Sequence, residues 1–496
     1  MDICVVVRSA DSLEQAGTRI RYQRLQPPLA ALGHRLTIES IDSFRSANQL
    51  VHDVYWLSKC HDARAQVLAH LAAGAGKPLG LDLFDDSFNP AHDSRLRADR
   101  QWLRAMAPAL AFVSCSTPTL EEFCRSAMPQ TRLHRMPDPA DAIEPATLQA
   151  QLQTALERAH SSRRIDLAWF GMGDHPQHPV GLQDLHAFAW ALAPLRDRGW
   201  QPVLRVLTNR RALTTAAMER LARLPLPWSL QEWSLEGEAQ LLQDSLVSFL
   251  PVNAQPFSRA KSLNRAVTAL AAGTQVLSVG HALYTPLHDF VYRDAKSLID
   301  DITLRQPKLR EATVPAMQSL LEGLCGAQGV ARALVGFLQQ LPRPAVARRG
   351  RLAVVHGLRS DKPVHEMAQR SGQLSVASPM ANPGLNYDLR FVRVGAGVEA
   401  QFGEPALAEL KRELKTRLRP AVSPTGRAVQ ALDLAPLAPL AAQRLADVAA
   451  ATSQAQRLAV QAGLWDAMQE VLALLLPEVR WVASESEPGF GLGLAA

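Results

Sequence analysis

The sequence predicts an α/β protein of two tandem Rossmann-like domains, 1–140 and 165–340, joined by a crossover at 141–164. A C-terminal α+β or mainly helical region, 352–496, follows them. Three observations carry this reading. Short apolar runs alternate with segments of helical period, first across 1–140 and again across 165–340, which implies parallel sheets covered by helices on both faces. The 496 residues hold 47% hydrophobic and 20% charged residues, enough apolar material for several cores and incompatible with a disordered chain. At roughly 150 residues per domain, this length makes about three domains.

In the first array, ICVVV (3–7) reads as a buried strand. A helical segment carrying Ile20, Leu25, Leu29 and Leu32 follows and ends at Gly33. RLTIESI (35–41), DVYWLSK (53–59), PLGLDLF (78–84) and ALAFVSCS (109–116) are the next strand candidates, with helices at 65–76 and 95–106 between them. The helix at 117–126 opens with a capping Thr117, Pro118 at its first position and Glu121 and Glu122 in its first turn. PDPADAIEP (137–145) and a polar helix at 146–160 interrupt the pattern. IDLAWFG (165–171), QPVLRVL (201–207), WSLQEW (228–233), SLVSFLP (245–251) and TQVLSVG (274–280) then supply a second set of strands. Helices fall at 182–195, 211–221, 236–243, 259–272, 294–304 and 309–341. LPRPAVARRGR (341–351) reads as a boundary. Beyond it, LRFVRVGAGVEAQF (389–402) resembles two strands about a Gly-Ala-Gly turn, and helices are expected at 404–418 and 453–475.

Composition narrows the function classes. Lys plus Arg number 53 against 47 Asp plus Glu, and a net charge of +6 over this length is no nucleic-acid signature. The five cysteines are odd in number and scattered, which fits a reducing compartment. No apolar run has the length or flanks of a signal peptide or a membrane span, so a cytoplasmic protein is expected.

The most informative stretch is FLPVNAQPFSRAKSLNRAVTALAAGTQVLSVG (249–280). A strand ends at Pro251, and a helix is expected to begin near Ser258 with Lys261, Ser262, Asn264 and Arg265 in its first turns. Cations at a helix N-terminus are unfavourable unless an anion joins them, so this pattern asks for a phosphate; the other reading is a solvated basic face. WFGMGDHPQHPVG (169–181) places Gly171 and Gly173 after the first strand of the second array, where glycine permits close backbone approach. Asp174, His175 and His178 form a D-H-x-x-H cluster, but Pro176 and Pro179 stiffen that loop and a metal needs three or four converging ligands.

Together with GTRIRYQRLQPPLAALGH (17–34), these segments resemble a GT-B glycosyltransferase, with families 1 and 4 of that enzyme class as nearest kin, over about residues 1–340. The resemblance implies a nucleotide-sugar donor bound mainly by 165–340, its diphosphate near Lys261 and Arg265, with Ser258, Ser262 and Asn264 in the same donor site. It also implies a backbone approach at Gly171 and Gly173, an acceptor bound mainly by 1–140, and no metal or other cofactor. Such enzymes often carry a pair of glutamates in this region; counting back from Gly273, Ala260 and Thr268 stand there instead. Family members contact the nucleobase where Glu232 and Trp233 end a strand, and Trp233 is either a stacking platform or a core residue.

Sugar transfer with inversion needs a base on the acceptor hydroxyl. Asp85 and Asp86, just past a strand end, suit that role or cap the following turn. Lys59 and His61 follow another strand end, and His61 is either an acid or base or a surface residue. Arg19 and Arg21 open the first helix and either meet an anionic acceptor or donor or stay exposed. The expected activity is transfer of a sugar to a glycan, lipid-linked or protein acceptor, with no nucleic acid involved. The alternatives are a non-catalytic relative that binds a glycan or protein, and a nucleotide-sugar 2-epimerase.

Overall fold

The computed structural model describes residues 1–342 and 344, except 45–48, 62, 89–96 and 176–177, and beyond them the backbone of five strands. The first sheet contains β1 (Asp2–Val7), β2 (Arg35–Ser40), β3 (Val54–Ser58), β4 (Leu79–Leu83), β5 (Phe112–Cys115) and β6 (Arg132–Arg135). They lie side by side in the order β2-β1-β3-β4-β5-β6, every pair parallel. The second sheet contains β7 (Arg164–Gly171), β8 (Gln201–Thr208), β9 (Trp228–Glu232), β10 (Val247–Phe249), β11 (Gln275–Leu277) and β12 (Val291–Tyr292). Their order is β12-β11-β10-β7-β8-β9, again all parallel. The α/β architecture of two tandem Rossmann-like domains is therefore present.

Burial on both faces explains the apolar runs. Cys4 and Val6 enter one core layer of the first sheet and Ile3, Val5 and Val7 the opposite one. On β7, Ile165, Leu167 and Trp169 face one layer and Ala168 and Phe170 the other. Each fully buried aliphatic side chain contributes about 1.5–3 kcal/mol relative to exposure, so these strands anchor their lobes. The helix Pro118–Ala127 starts as its sequence dictates, with the Leu120 N–H donating to Thr117 Oγ1 at 3.3 Å.

Three boundaries differ from the sequence reading. The helix expected at 259–272 is two short helices, Pro256–Arg259 and Asn264–Ala271, interrupted at 260–263 where the chain meets the first lobe. The crossover helix Pro145–Ser162 packs into the second lobe's core through Leu148, Leu152, Ala155 and Ala159. The last helix, Ala327–Gln339, belongs by position to the second domain but buries Val330, Ala331, Leu334 and Leu338 against the first sheet. The chain thus crosses between lobes twice, and the Ala140 N–H donates to Cys325 O at 2.8 Å where the crossings meet.

The C-terminal region is described only through five strands. Its described strands, β13 (Arg351–His356), β14 (Leu389–Arg393), β15 (Leu418–Val422), β16 (Ala428–Asp433) and β17 (Val479–Ser484), form one sheet in the order β15-β16-β14-β13-β17. Only β15 and β16 are antiparallel. The described strands form a mainly parallel sheet, and β14, flanked by two parallel neighbours, pairs with no hairpin arm among the described residues. The rest of 389–402 and the helices expected at 404–418 and 453–475 lie outside the described residues, apart from Leu418, which opens β15. No helix among the described residues is long and apolar enough to cross a membrane.

Candidate functional site

In a doubly wound sheet, ligands bind beyond the carboxyl ends of the strands where strand order reverses. The first sheet reverses between β1 and β3 and the second between β7 and β10. Residues following these four strands are therefore the ones to follow: 8–15, Lys59, Gly171 to Gly173, and the segment 250–265.

On the first lobe, Lys59 follows β3 with φ +54°, a left-handed backbone rare outside glycine. Its ammonium lies 2.6 Å from Asp85 Oδ2 and 4.6 Å from the centre of the Phe84 ring. Lys261 of the second lobe ion-pairs with the other oxygen of Asp85, so one carboxylate joins two ammonium groups across the cleft. Despite desolvation, those two charges hold the Asp85 carboxyl well below the usual carboxylate range. An ionised but doubly paired carboxylate is a weak proton acceptor. Asp86 beside it is buried. His61 sits in an aromatic cluster, 4.7 Å from Phe88 and 5.0 Å from Trp102 between ring centres.

On the second lobe, β7 ends at Gly171, whose φ of +135° favours glycine. The Arg265 side chain packs over it; a Cβ added at Gly171 would stand 3.3 Å from Arg265 Nε. At Gly173 an added Cβ would lie 2.3 Å from Thr208 Oγ1, so that position also requires glycine. The Arg265 guanidinium is 5.1 Å from the Trp169 ring centre and 5.6 Å from that of Phe170. Its Nε and Nη2 are shut off from solvent and donate to nothing among the described residues. Burial pushes its pKa below the ordinary arginine value, with only weaker opposing pulls from Tyr284, Asp184 and Glu238. A guanidinium placed this way is destabilising unless an anion joins it.

The remaining sequence candidates form the walls. Ser262 Oγ donates to Asp138 Oδ2 at 2.5 Å, Thr117 Oγ1 donates to Ala260 O at 3.1 Å, and Asn264 Oδ1 lies 3.5 Å from Arg24 Nη1; each of these contacts joins the lobes. Ser258 is buried. Glu232 is exposed at the end of edge strand β9. The Trp233 face is occupied by the Arg19 guanidinium, 5.0 Å from the ring centre, and its Nε1–H donates to Glu238 at 2.6 Å. That arrangement leaves this face of Trp233 to Arg19 in place of a nucleobase.

Arg21 requires a correction. It is 1% exposed and bidentate on Asp82, at 2.7 and 2.8 Å, and it also reaches Asp138 at 2.6 Å and Met136 O at 3.2 Å. It is neither exposed nor open to a ligand. The D-H-x-x-H cluster likewise does not converge. Asp174 binds Arg211 at 2.7 Å and Asn209 at 2.9 Å, while the His175 and His178 rings pack on Phe257.

No family model matches the chain, and no curated protein matches it by sequence. Among solved structures, one described as trehalose-6-phosphate from E. coli bound with UDP-2-fluoro glucose aligns at 11% identity and a TM-score of 0.48, covering 69% of this chain and 100% of its own. A glycosyltransferase from Rickettsia africae ESF-5 aligns at 12% identity and a TM-score of 0.48, over 68% of this chain and 98% of its own. A UDP-forming alpha,alpha-trehalose-phosphate synthase from Burkholderia vietnamiensis aligns at 13% identity and a TM-score of 0.47, over 70% and 98%. Likenesses at this level fix no function.

Sequence reasoning missed Asp138 and Asp82. Asp138 lies between Pro137 and Pro139 at the first crossing, a rigid setting that marks a carboxylate held in one place. Asp82, on a strand that is otherwise apolar, signals a buried charge with a dedicated partner.

Proposed function

We propose that the chain is a glycosyltransferase of the GT-B architecture. It would move a sugar from a nucleotide-sugar donor to an acceptor hydroxyl in the cleft between its two sheets. The observation that carries this reading is Arg265, whose buried Nε and Nη2 have no hydrogen-bond partner among the described residues and lie against Gly171 at the β7–β10 switch point. A diphosphate there would accept charge-assisted hydrogen bonds from Arg265 and meet the amide groups at the start of Asn264–Ala271. Lys261 would exchange Asp85 for a phosphate oxygen.

In the reaction, the bond from the sugar's anomeric carbon to the diphosphate breaks, the diphosphate leaves with that electron pair, and a bond to the acceptor oxygen forms. The acceptor proton passes to a base or to the departing phosphate. Asp85, Asp86 and His61 remain the candidate acid–base groups, and Asp85's two ammonium partners make it a positioning group first. Gly171, Gly173, Ser258, Lys261, Ser262 and Asn264 belong to the donor side of the proposal. So do a glycan, lipid-linked or protein acceptor, a cytoplasmic setting, and transfer without a metal at the reacting bond.

The test is a thermal-shift panel of UDP, GDP, CMP, dTDP and their common sugars on the wild type, Lys261→Ala and Arg265→Met. One nucleotide should stabilise the wild type selectively and lose that effect in both variants. The same nucleotide sugar should then release its nucleoside diphosphate on incubation with acceptor. A second reading, a non-catalytic binding protein, is favoured by Lys261 already having a carboxylate partner and by Ala260 and Thr268 where glutamates are common. Absence of stabilisation by every nucleotide at millimolar concentration would select it.

A further inference from the structure

Away from the cleft, the first sheet gathers a thiol, an imidazole and carboxylates at one place. The parallel register sets Asp2 opposite Arg35, Cys4 opposite Thr37 and Val6 opposite Glu39. Side chains alternate along a strand, so Asp2, Cys4, Thr37 and Glu39 share one face. Tyr55 of β3 stands opposite Cys4. The His52 N–H donates to the Tyr55 hydroxyl at 3.0 Å, and the two rings meet edge to face at 5.7 Å. These contacts pin the His52 imidazole between two carboxylates, its Nε2 2.9 Å from Glu39 Oε1 and its Nδ1 3.1 Å from Asp2 Oδ1.

His52 is 4% exposed, and each of its ring nitrogens faces a carboxylate oxygen. Cys4 is fully buried, and its Sγ lies 3.9 Å from Val5 O. Cys4 Sγ, a Glu39 oxygen and a His52 ring nitrogen all lie within 4.8 Å of one another. Zinc bonds of about 2.0–2.3 Å hold tetrahedral ligand atoms roughly 3.3–3.8 Å apart, so small side-chain rotations close the set.

We propose that Cys4, Glu39 and His52 form a zinc-binding site on the β1–β2 edge of the first sheet, with water as fourth ligand and Asp2 as the carboxylate that orients His52. Thiolate, imidazole and carboxylate together select zinc among the common divalent ions. On binding, the Cys4 S–H bond breaks, its electron pair forms the zinc–sulfur bond, and the proton leaves to solvent. His52 Nε2 gives its lone pair to the metal, and Nδ1–H donates to Asp2. Thiolate and carboxylate neutralise the dication, while Asp2 keeps its own cation in Arg35, at 2.6 and 3.2 Å. The site joins β1, β2 and the segment before β3, so its role is to staple the edge of the lobe and not to act on substrate.

The test uses the full chain, stripped with a chelator and titrated with zinc chloride against a chromogenic competitor, with cobalt as spectroscopic probe. One zinc per chain is expected, with a thiolate-to-cobalt charge-transfer band and the intense visible bands of tetrahedral cobalt. Cys4→Ala should lose the charge-transfer band, and Asp2→Asn should weaken zinc about 10–100-fold. Glu39→Gln keeps the size of this half-buried side chain and should weaken binding as well. Zinc should raise the wild-type melting temperature, and EDTA should reverse it. Binding that is absent at micromolar zinc overturns the proposal. So does binding that survives both Cys4→Ala and Glu39→Gln, or a His52 that titrates as an imidazolium with zinc present.

Discussion

Replacing Arg21 by methionine probes a buried charge that makes four hydrogen bonds. The guanidinium is 1% exposed, and the Asp82 side chain it grips in bidentate fashion is 0% exposed. After Arg21→Met, Asp82 keeps the Tyr22 hydroxyl at 2.6 Å and the Ser114 hydroxyl at 2.6 Å, but no cation. Removing one member of a buried ion pair costs about 3–5 kcal/mol, against a domain stability of about 5–15 kcal/mol. At roughly 2–4 °C per kcal/mol for a lobe of this size, the first melting transition should fall by roughly 6–20 °C. Tyr22→Phe removes one hydrogen bond from the same carboxylate and should cost about 1–3 kcal/mol. The double change Arg21→Met with Asp82→Leu removes both charges and should recover much of the loss, because apolar replacement of a whole buried pair is often neutral. Urea unfolding followed by near-UV circular dichroism reads all three, and the coupling follows from the double-mutant cycle. A loss below about 1 kcal/mol in Arg21→Met would refute the reasoning. So would a double variant no more stable than the single one.

Three further outcomes follow from the site. Arg265→Met should weaken nucleotide-sugar binding about 10–100-fold, from charge-assisted hydrogen bonds worth about 1.5–3 kcal/mol, while leaving the unliganded protein at least as stable as the wild type. Calorimetric titration and thermal melting check the two halves. Asp85→Asn should flatten the acid limb of stability: a carboxyl held below its ordinary value stabilises the fold above that value and loses its contribution as pH falls through the lower one. Unfolding curves between pH 5 and the acid transition measure this, read as a difference from wild type. His134, stacked on Phe337 at 4.8 Å, is pushed down to about 4 by burial, so the folded state excludes a proton that the unfolded chain takes up near pH 6.5. Stability should therefore fall by up to about 3 kcal/mol between pH 6.5 and 4, and His134→Phe should abolish that part of the slope.

The sheets were legible because parallel strands buried on both faces leave continuous apolar runs such as 3–7 and 165–171. Strands β6 and β12 were not: RLHR is polar on an edge, and VY is too short to show a period. The break at 260–263 was hidden for a different reason. Its residues have good helical propensity, and it is a tertiary contact, Thr117 with Ala260 O and Lys261 with Asp85, that overrides them. The site shows the same division. Gly171 and Arg265 were readable because glycine and clustered cations declare themselves in a sequence. The fates of Arg21 and Trp233 were not, because their partners Asp82 and Arg19 lie far away along the chain and meet them only after folding.

The two crossings between lobes have a mechanical consequence. A single linker would act as a swivel, free to turn in every direction. Here the segment after β6 and the turn at Gly326 run side by side, tied by the bond from Ala140 to Cys325, and together they define an axle. Rotation about that axle would part the lobes like a book, whereas twisting or sliding would shear the helix Ala327–Gln339 off the first sheet. Lys261 would then return to Asp85, and Ser262 to Asp138, on every closure. One degree of freedom would be enough to bring residues more than a hundred positions apart back into register.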